Sequence, residues 1–407
     1  MSDTKPPDDD GFSHRLDLVA QAFSPSTPIT TKELFRGRVP QLNRLIDITA
    51  QRGQHALLYG ERGVGKTSLA RVVHGGRESQ GNLCVYHTCD SSDRFSSIWR
   101  SVFDEVAIAV THPGVGFAAE DKRTVQSASA YLPPEGDLSP TDVRRGLALL
   151  GRVAPCLITI DEFDRLSDPM THLLMADLIK ILSDQAMPAT IVLVGVGETV
   201  TDVLSEHESI GRSLVQIHMP TMSNAESLEI VTEGMKACRL GLDFDFAMAV
   251  VRIAQGLPHY THLIAQHAAR RAVEYDIDEV DADAVQPAVQ LAMEDISRTV
   301  RETYHRATFS NRDTIYKEVL LACALAQKDD LSEFGSADLR EPLRMLTGRR
   351  YEIPAFSAHL SDFSSTGARG GVLRKTGASR FRYRFIDPLL PPYVLMRGLA
   401  DGHTIGT

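Results

Sequence analysis

Residues 56–73 constrain this chain more than any other stretch. The apolar run Ala56-Leu57-Leu58-Tyr59 leads into Gly60-Glu61-Arg62-Gly63-Val64-Gly65-Lys66-Thr67, and Ser68-Leu69-Ala70-Arg71-Val72-Val73 follows with a helical pattern. A short apolar strand, a G-x-x-x-x-G-K-[ST] loop and a helix in direct succession make a phosphate-binding unit, which belongs in a parallel α/β sheet. Glycines at 60, 63 and 65 permit positive φ, so successive backbone N–H groups from Gly60 to Ser68 converge on a triphosphate. Lys66 reaches the β- and γ-phosphates, Thr67 ligates Mg²⁺, and the helix adds its positive dipole end. The competing reading is a Gly-rich turn that binds nothing; the strand before it and the helix after it count against that.

A second segment completes the chemistry. Leu157-Ile158-Thr159-Ile160-Asp161-Glu162 is an apolar strand ending in two carboxylates, and strand ends of an open α/β sheet face the ligand crevice. Asp161 is placed to hold Mg²⁺, and Glu162 to orient and deprotonate an attacking water. The pattern predicts five strands, at 56–59, 83–87, 157–160, 191–194 and 214–218. The fourth is expected beside the phosphate-loop strand, aiming residues 195–199 at the γ-phosphate. There Glu198 or Thr199 is a sensor, or Gly195 and Gly197 simply form a tight turn. Arg212, just ahead of the fifth strand, is either a trans-acting arginine for a neighbouring subunit's γ-phosphate or an exposed surface charge.

Net charge is −10, which argues against indiscriminate coating of nucleic acid. The balance is uneven, because from Arg298 onward 17 Lys and Arg outnumber 12 Asp and Glu. No apolar run approaches the ~20 residues of a membrane span. The acidic, Pro-rich start lacks the character of a signal peptide, and the five scattered cysteines suit free thiols in a reducing cytoplasm. Cys84 and Cys89 are spaced to start a zinc site, but no second Cys/His pair follows.

Four regions follow from these patterns: a flexible leader at 1–30, with a short helix at Arg15-Leu16-Asp17-Leu18-Val19-Ala20 as the alternative there, a nucleotide-binding core at 31–221, a helical lid at 222–308 and a small domain at 309–407. Residues 112–140, rich in Gly, Pro, Ser and charge, are expected as a surface insertion. Ser223-x-x-Glu226 forms a capping box for a helix at 224–238, with further helices at 245–255, 259–275 and 282–306. Gly256 is expected to cap the helix before it. In the last region, helices to 326 and at 337–347 and 354–363 precede two strands around a Gly-containing turn, the layout of a winged helix. Arg374, Lys375, Arg380, Arg382 and Arg384 either contact DNA phosphates or form the solvated side of a hairpin packed through Phe381, Tyr383 and Phe385.

Together these motifs resemble the AAA+ ATPases, in particular the origin-recognition-complex-like branch and the related STAND signalling ATPases. Leu34-Phe35-Arg36-Gly37-Arg38 is similar to the family's Gly-Arg box, so the resemblance places Arg36, Gly37 and Arg38 at the adenine side. It likewise places Pro258 and His259 of the lid near the nucleotide, where other members carry a sensor arginine; the alternative is that His259 and His262 are helix-surface or packing residues. The resemblance spans about residues 30–300 and implies ATP as ligand, Mg²⁺ as cofactor, Glu162, Lys66 and Arg212 as catalytic groups, and homo-oligomerisation. It also implies a slow molecular switch that couples nucleotide state to double-stranded DNA or a partner through the winged helix. The alternative within the resemblance is a STAND-like signalling, defence or transposition-helper ATPase that does not touch DNA.

Overall fold

A computed structural model describes residues 9–25, 37–112, 122–197, 214–312, 314–329, 331–367, 369–376 and 381–404. The chain divides into two compact units, residues 28–220, and residues 1–27 together with 221–407.

The first unit is built on a five-stranded sheet of β1 (His55–Gly60), β2 (Leu83–Thr88), β5 (Cys156–Asp161), β6 (Ala189–Val196) and β7 (Leu214–His218). Their order is β2-β5-β6-β1-β7, and every pairing is parallel. All five expected strands are present. The three central ones are buried along almost their whole length, as strands covered on both faces must be. Helices α2 (Val39–Ala50), α3 (Lys66–Ser79), α4 (Phe95–Asp104), α5 (Pro140–Leu150) and α6 (Pro169–Asp184) accompany the sheet. The core gathers Phe95, Trp99 and Phe103 of α4 with Leu178 and Ile179 of α6.

The region expected as a loop insertion is partly regular. β3 (Ala107–His112) and β4 (Lys122–Ser127) pair as an antiparallel hairpin, and a 3₁₀ turn at Ala128–Tyr131 buries Ala128 against the core. All five cysteines are free, and four are buried. Among the described residues no helix is long and apolar enough to cross a membrane.

The second unit is mainly helical. α7 (Asn224–Ala237) begins with the expected capping box, in which Ser223 Oγ accepts from Glu226 N–H at 3.2 Å and Glu226 Oε2 accepts from Ser223 N–H at 2.8 Å. α8 (Phe244–Ala254) ends on two left-handed residues, Gln255 (φ 51°) and Gly256 (φ 74°). A Cβ on Gly256 would run into the Met222 carbonyl, and the Met222 N–H bonds the Gly256 carbonyl at 2.8 Å, so only glycine closes this turn. α9 (Pro258–Glu274) follows at once. The helix expected over 282–306 is two, α10 (Val285–Asp295) and α11 (Arg298–Thr308). Ile296 is buried in an extended conformation (ψ 140°), and this break sets the second helix on a new axis. Two-residue strands β8 (Gly241–Leu242) and β9 (Glu279–Val280) pair in parallel.

The segment expected as a flexible leader carries α1 (Asp9–Ala22), which packs on α7 and α9. Phe23 behind it is fully buried, its ring filling the space left by the missing side chain of Gly234. A single aromatic in a notch has no periodicity, so the sequence does not announce it.

The C-terminal part has α12 (Tyr316–Leu325), β10 (Phe334–Gly335), α13 (Arg340–Thr347), α14 (Ile353–Ser364), β11 (Leu373–Thr376), β12 (Arg382–Phe385) and α15 (Leu390–Ala400). The three strands form an antiparallel sheet in the order β10-β12-β11. α15 is buried on most sides, packs on α10 and α12, and its preceding Leu389 carbonyl accepts the Tyr260 hydroxyl at 2.7 Å. Residues 221–407 fall in the same compact unit, together with residues 1–27.

Candidate functional site

The phosphate loop joins β1 to α3. Gly60 (φ 150°), Gly63 (φ 85°) and Gly65 (φ 94°) are all at positive φ, and a Cβ on Gly60 would collide with the Met219 carbonyl. Lys66 opens α3 with Thr67 and Ser68 behind it, so their amides belong to the first turn, where helical N–H groups lack intrahelical partners. Lys66 is 7% exposed, and its ammonium donates to the carbonyls of Gly60 (3.0 Å) and Glu61 (2.7 Å). Burial lowers its pKa to about 8, while Asp164, Asp161 and Glu61 act in the opposite direction. Donor amides, a buried cation and glycines at positive φ, with no room for a Cβ at Gly60, fit a phosphate chain.

One strand separates the loop from the acidic pair. β6 pairs with β1 up to Gly60 and Val196, and with β5 up to Ile160 and Leu193, so Asp161 and Glu162 emerge at the same sheet end as Gly60. Asp161 is 4% exposed. Its Oδ1 accepts the Glu162 N–H at 2.8 Å, and its Oδ2 accepts the Tyr86 hydroxyl at 2.6 Å. Tyr86 reaches it because the register sets Tyr86 beside Thr159, and Asp161 two residues on shares that face. Burial, then the Asp161 charge, raises the Tyr86 pKa well above the usual phenol value, so the hydroxyl remains a donor. The Arg71 guanidinium lies 3.8 Å from the centre of the Tyr86 ring.

Glu162 adopts a left-handed conformation (φ 54°), and its half-exposed carboxylate is held by Arg165 at 2.5 Å. Asp164 Oδ1 accepts the Val196 N–H at 2.7 Å, tying the acidic turn to the end of β6. Tyr86, Asp164 and Arg165 are site residues that motif reading did not find. Asp164 and Arg165 had a signal in the run Asp161-Glu162-Phe163-Asp164-Arg165; Tyr86 had none, because only strand register brings it in.

Gly37 (φ 67°) and Arg38 (φ 57°) turn the chain into α2. Arg38 is 1% exposed, and its guanidinium donates to the carbonyls of Val64 (3.4 Å) and Pro220, bracing the phosphate loop from beneath. Arg36, Glu198, Thr199, Arg212 and Arg380 lie outside the described residues.

In the helical unit, Pro258 opens α9 and His259 Nδ1 is engaged with the Pro25 carbonyl at 2.7 Å. One turn on, His262 Nδ1 accepts the Ser24 N–H at 3.4 Å, and Gln266 donates to the Phe23 carbonyl at 2.8 Å. This row of α9 thus receives residues 23–25. In the hairpin, Arg374 and Lys375 are exposed, and Lys375 sits 3.3 Å from the centre of the Phe381 ring. Arg382 is bound to Asp329 (2.7 Å) and Glu333 (3.3 Å). Arg384 is partly buried beside Arg374 in the register. Tyr383 and Phe385 are buried as the alternation requires, but Phe381 is 54% exposed, because β12 starts only at Arg382.

A parallel sheet with this loop on the inner strand β1 and paired acids on β5, two strands away, has the layout of a P-loop nucleotide-binding fold. Residues 34–193 match the family model described as the AAA ATPase domain, and this part of the chain is an AAA ATPase domain. Among solved structures, the Walker-type ATPase PABY2304 of Pyrococcus abyssi is similar, with 17% identity over 91% of this chain and 99% of that one, at a TM-score of 0.52. ORC1 of Aeropyrum pernix, solved in complex with DNA, shares 17% identity over 89% of this chain and 92% of that one (TM-score 0.47). Cdc6p of Pyrobaculum aerophilum shares 18% over 95% and 99% (TM-score 0.47). No curated protein sequence matches the chain.

Proposed function

We propose that the protein is an ATP-binding and slowly ATP-hydrolysing AAA+ switch of the origin-recognition-like kind, which couples its nucleotide state to DNA or a protein partner. The observation that carries this reading is Lys66, a buried ammonium resting on two loop carbonyls at the sheet end where Asp161 and Glu162 also emerge. In the bound state the loop amides and Lys66 hold the β- and γ-phosphates, with Thr67 and Asp161 as the Mg²⁺ ligands. Mg²⁺ supplies charge neutralisation on the phosphate oxygens. Tyr86 orients the Asp161 carboxylate. Glu162 accepts the proton of the attacking water, and its engagement with Arg165 supports a slow resting rate, because the base must leave an ion pair before it acts.

Arg212 remains the proposed trans-acting arginine in a homo-oligomer, and Arg36, Gly37, Arg38, Pro258 and His259 the proposed adenine-side and lid contacts. The order α12, β10, α13, α14 and hairpin supports reading this part as a winged helix, proposed as the DNA- or partner-binding part. The pairing of Arg382 with Asp329 and Glu333 favours a second reading, in which the hairpin docks a protein and DNA is not bound.

Glu162→Gln should bind ATP as the parent does and lose turnover by about 100-fold or more. In the same assay Arg212→Ala should lower turnover only at concentrations where oligomers form. Full turnover in Glu162→Gln overturns the assigned base, and absence of ATP binding in the parent overturns the whole reading.

A further inference from the structure

The C-terminal end of β2 carries a group of side chains that the nucleotide chemistry does not use. His87, Cys89 and Asp93 place a ring nitrogen, a thiol sulfur and a carboxylate oxygen within 4.8 Å of one another. His87 and Cys89 stand two residues apart in extended chain and so share a face. Asp93 arrives from the turn before α4, with its Oδ2 3.3 Å from His87 Nε2. Cys89 is buried at 1% exposure, and its N–H donates to the Asp161 carbonyl at 2.8 Å, so the group is pinned to β5.

We propose that His87, Cys89 and Asp93 bind one Zn²⁺-class cation, at a site separate from the Mg²⁺ position of the nucleotide. The donor set points to this metal: one imidazole, one thiolate and one carboxylate are its usual ligands, whereas Mg²⁺ takes oxygen. Ligand atoms about 2.0–2.3 Å from a tetrahedral ion lie about 3.3–3.8 Å apart, so the existing separations close with small side-chain rotations. The carboxylate is already aimed. Ser97 Oγ–H donates to Asp93 Oδ1 at 2.8 Å and the Asp90 N–H to Oδ2 at 3.0 Å, the outer-shell support that metal ligands require. An ordinary ion pair accounts for His87 and Asp93, but gives no role to a thiol at its edge. Binding replaces the Cys89 S–H bond by a sulfur–metal bond and releases the proton to water. Three protein ligands leave the fourth position to water. The site braces the β2-to-α4 turn beside the acidic pair.

The test is Co²⁺ titration of the full-length, chelator-treated protein in excess Mg²⁺, read by absorption. One equivalent should develop a thiolate-to-cobalt charge-transfer band with intense tetrahedral d–d bands. The bands should vanish in Cys89→Ser, fall in His87→Gln and Asp93→Asn, and persist in Cys84→Ser and Asp161→Asn. If Cys89→Ser does not fold by circular dichroism, His87→Gln decides: loss of about tenfold or more in Co²⁺ affinity supports the site. No charge-transfer band in the parent, a band that survives Cys89→Ser, or unchanged affinity in His87→Gln overturns it.

Discussion

Lys66 shows how much one buried residue reports. Its ammonium is held on neutral carbonyls, with only partial compensation from nearby carboxylates, and its pKa falls to about 8. A triphosphate placed against it favours the charged form. The protein without nucleotide is about half protonated there at pH 8, so binding ATP at that pH should take up about half a proton, and less at pH 7. Above pH 8 affinity should weaken, by up to about tenfold per pH unit as the cost of protonation grows. Calorimetry in two buffers of different ionisation heat measures the uptake; a heat independent of buffer would contradict the lowered value. The loop's spacing marked Lys66 and Thr67 in the sequence and the end of an apolar strand marked Asp161 and Glu162, and the fold brings both to one end of the sheet. Tyr86 and the Arg38 brace were not legible, since each acts through a neighbour distant in the chain.

At the level of elements, the hairpin of β11 and β12 was legible as two strands around a turn, but its charges were not sorted. Arg382 belongs to an acid-lined contact, whereas Arg374 and Lys375 face outward. If the hairpin meets DNA, removing Arg374 and Lys375 together should flatten the slope of log affinity against log salt by about 1–2, and Arg382→Ala should leave it unchanged. A salt titration of fluorescent duplex binding reads this directly, and binding that is absent or indifferent to salt excludes the hairpin as a DNA contact. The same limit explains α1. Its amphipathic pattern is weak, and it is ordered by Phe23 in the Gly234 notch and by the bonds from residues 23–25 to α9, which no local pattern encodes.

For the whole molecule, each unit buries a neutral histidine whose pKa is strongly lowered, among the described residues. In the first, His55 is 0% exposed and accepts the Ile191 N–H at 3.0 Å. In the second, His262 is 5% exposed and accepts the Ser24 N–H at 3.4 Å. Burial lowers both pKa values from 6.5 to about 4, helped at His262 by His259. The unfolded chain therefore binds more protons between those values. The contribution is whole above pH 6.5 and is lost as pH falls towards 4, about 3 kcal/mol for each residue. Chemical denaturation at pH 7.5 and 5 should show both units weakened by acid, with His55→Gln flattening the pH response of the first. A midpoint that does not move over this range would refute the burial argument.

The sequence by itself determined the sheet, the phosphate loop, the paired acids and the capped start of the helical region. These are local: strand apolarity, glycine at positive φ, and a capping box act within a few residues. Tertiary structure alone decided the rest of the strand order beyond β6 beside β1, that Tyr86 meets Asp161, and that the helix at Asp9–Ala22 packs with residues 221–407. Parallel strands are joined through long crossovers, so their register and the side chains it aligns depend on packing of the whole sheet, to which no short segment is a guide.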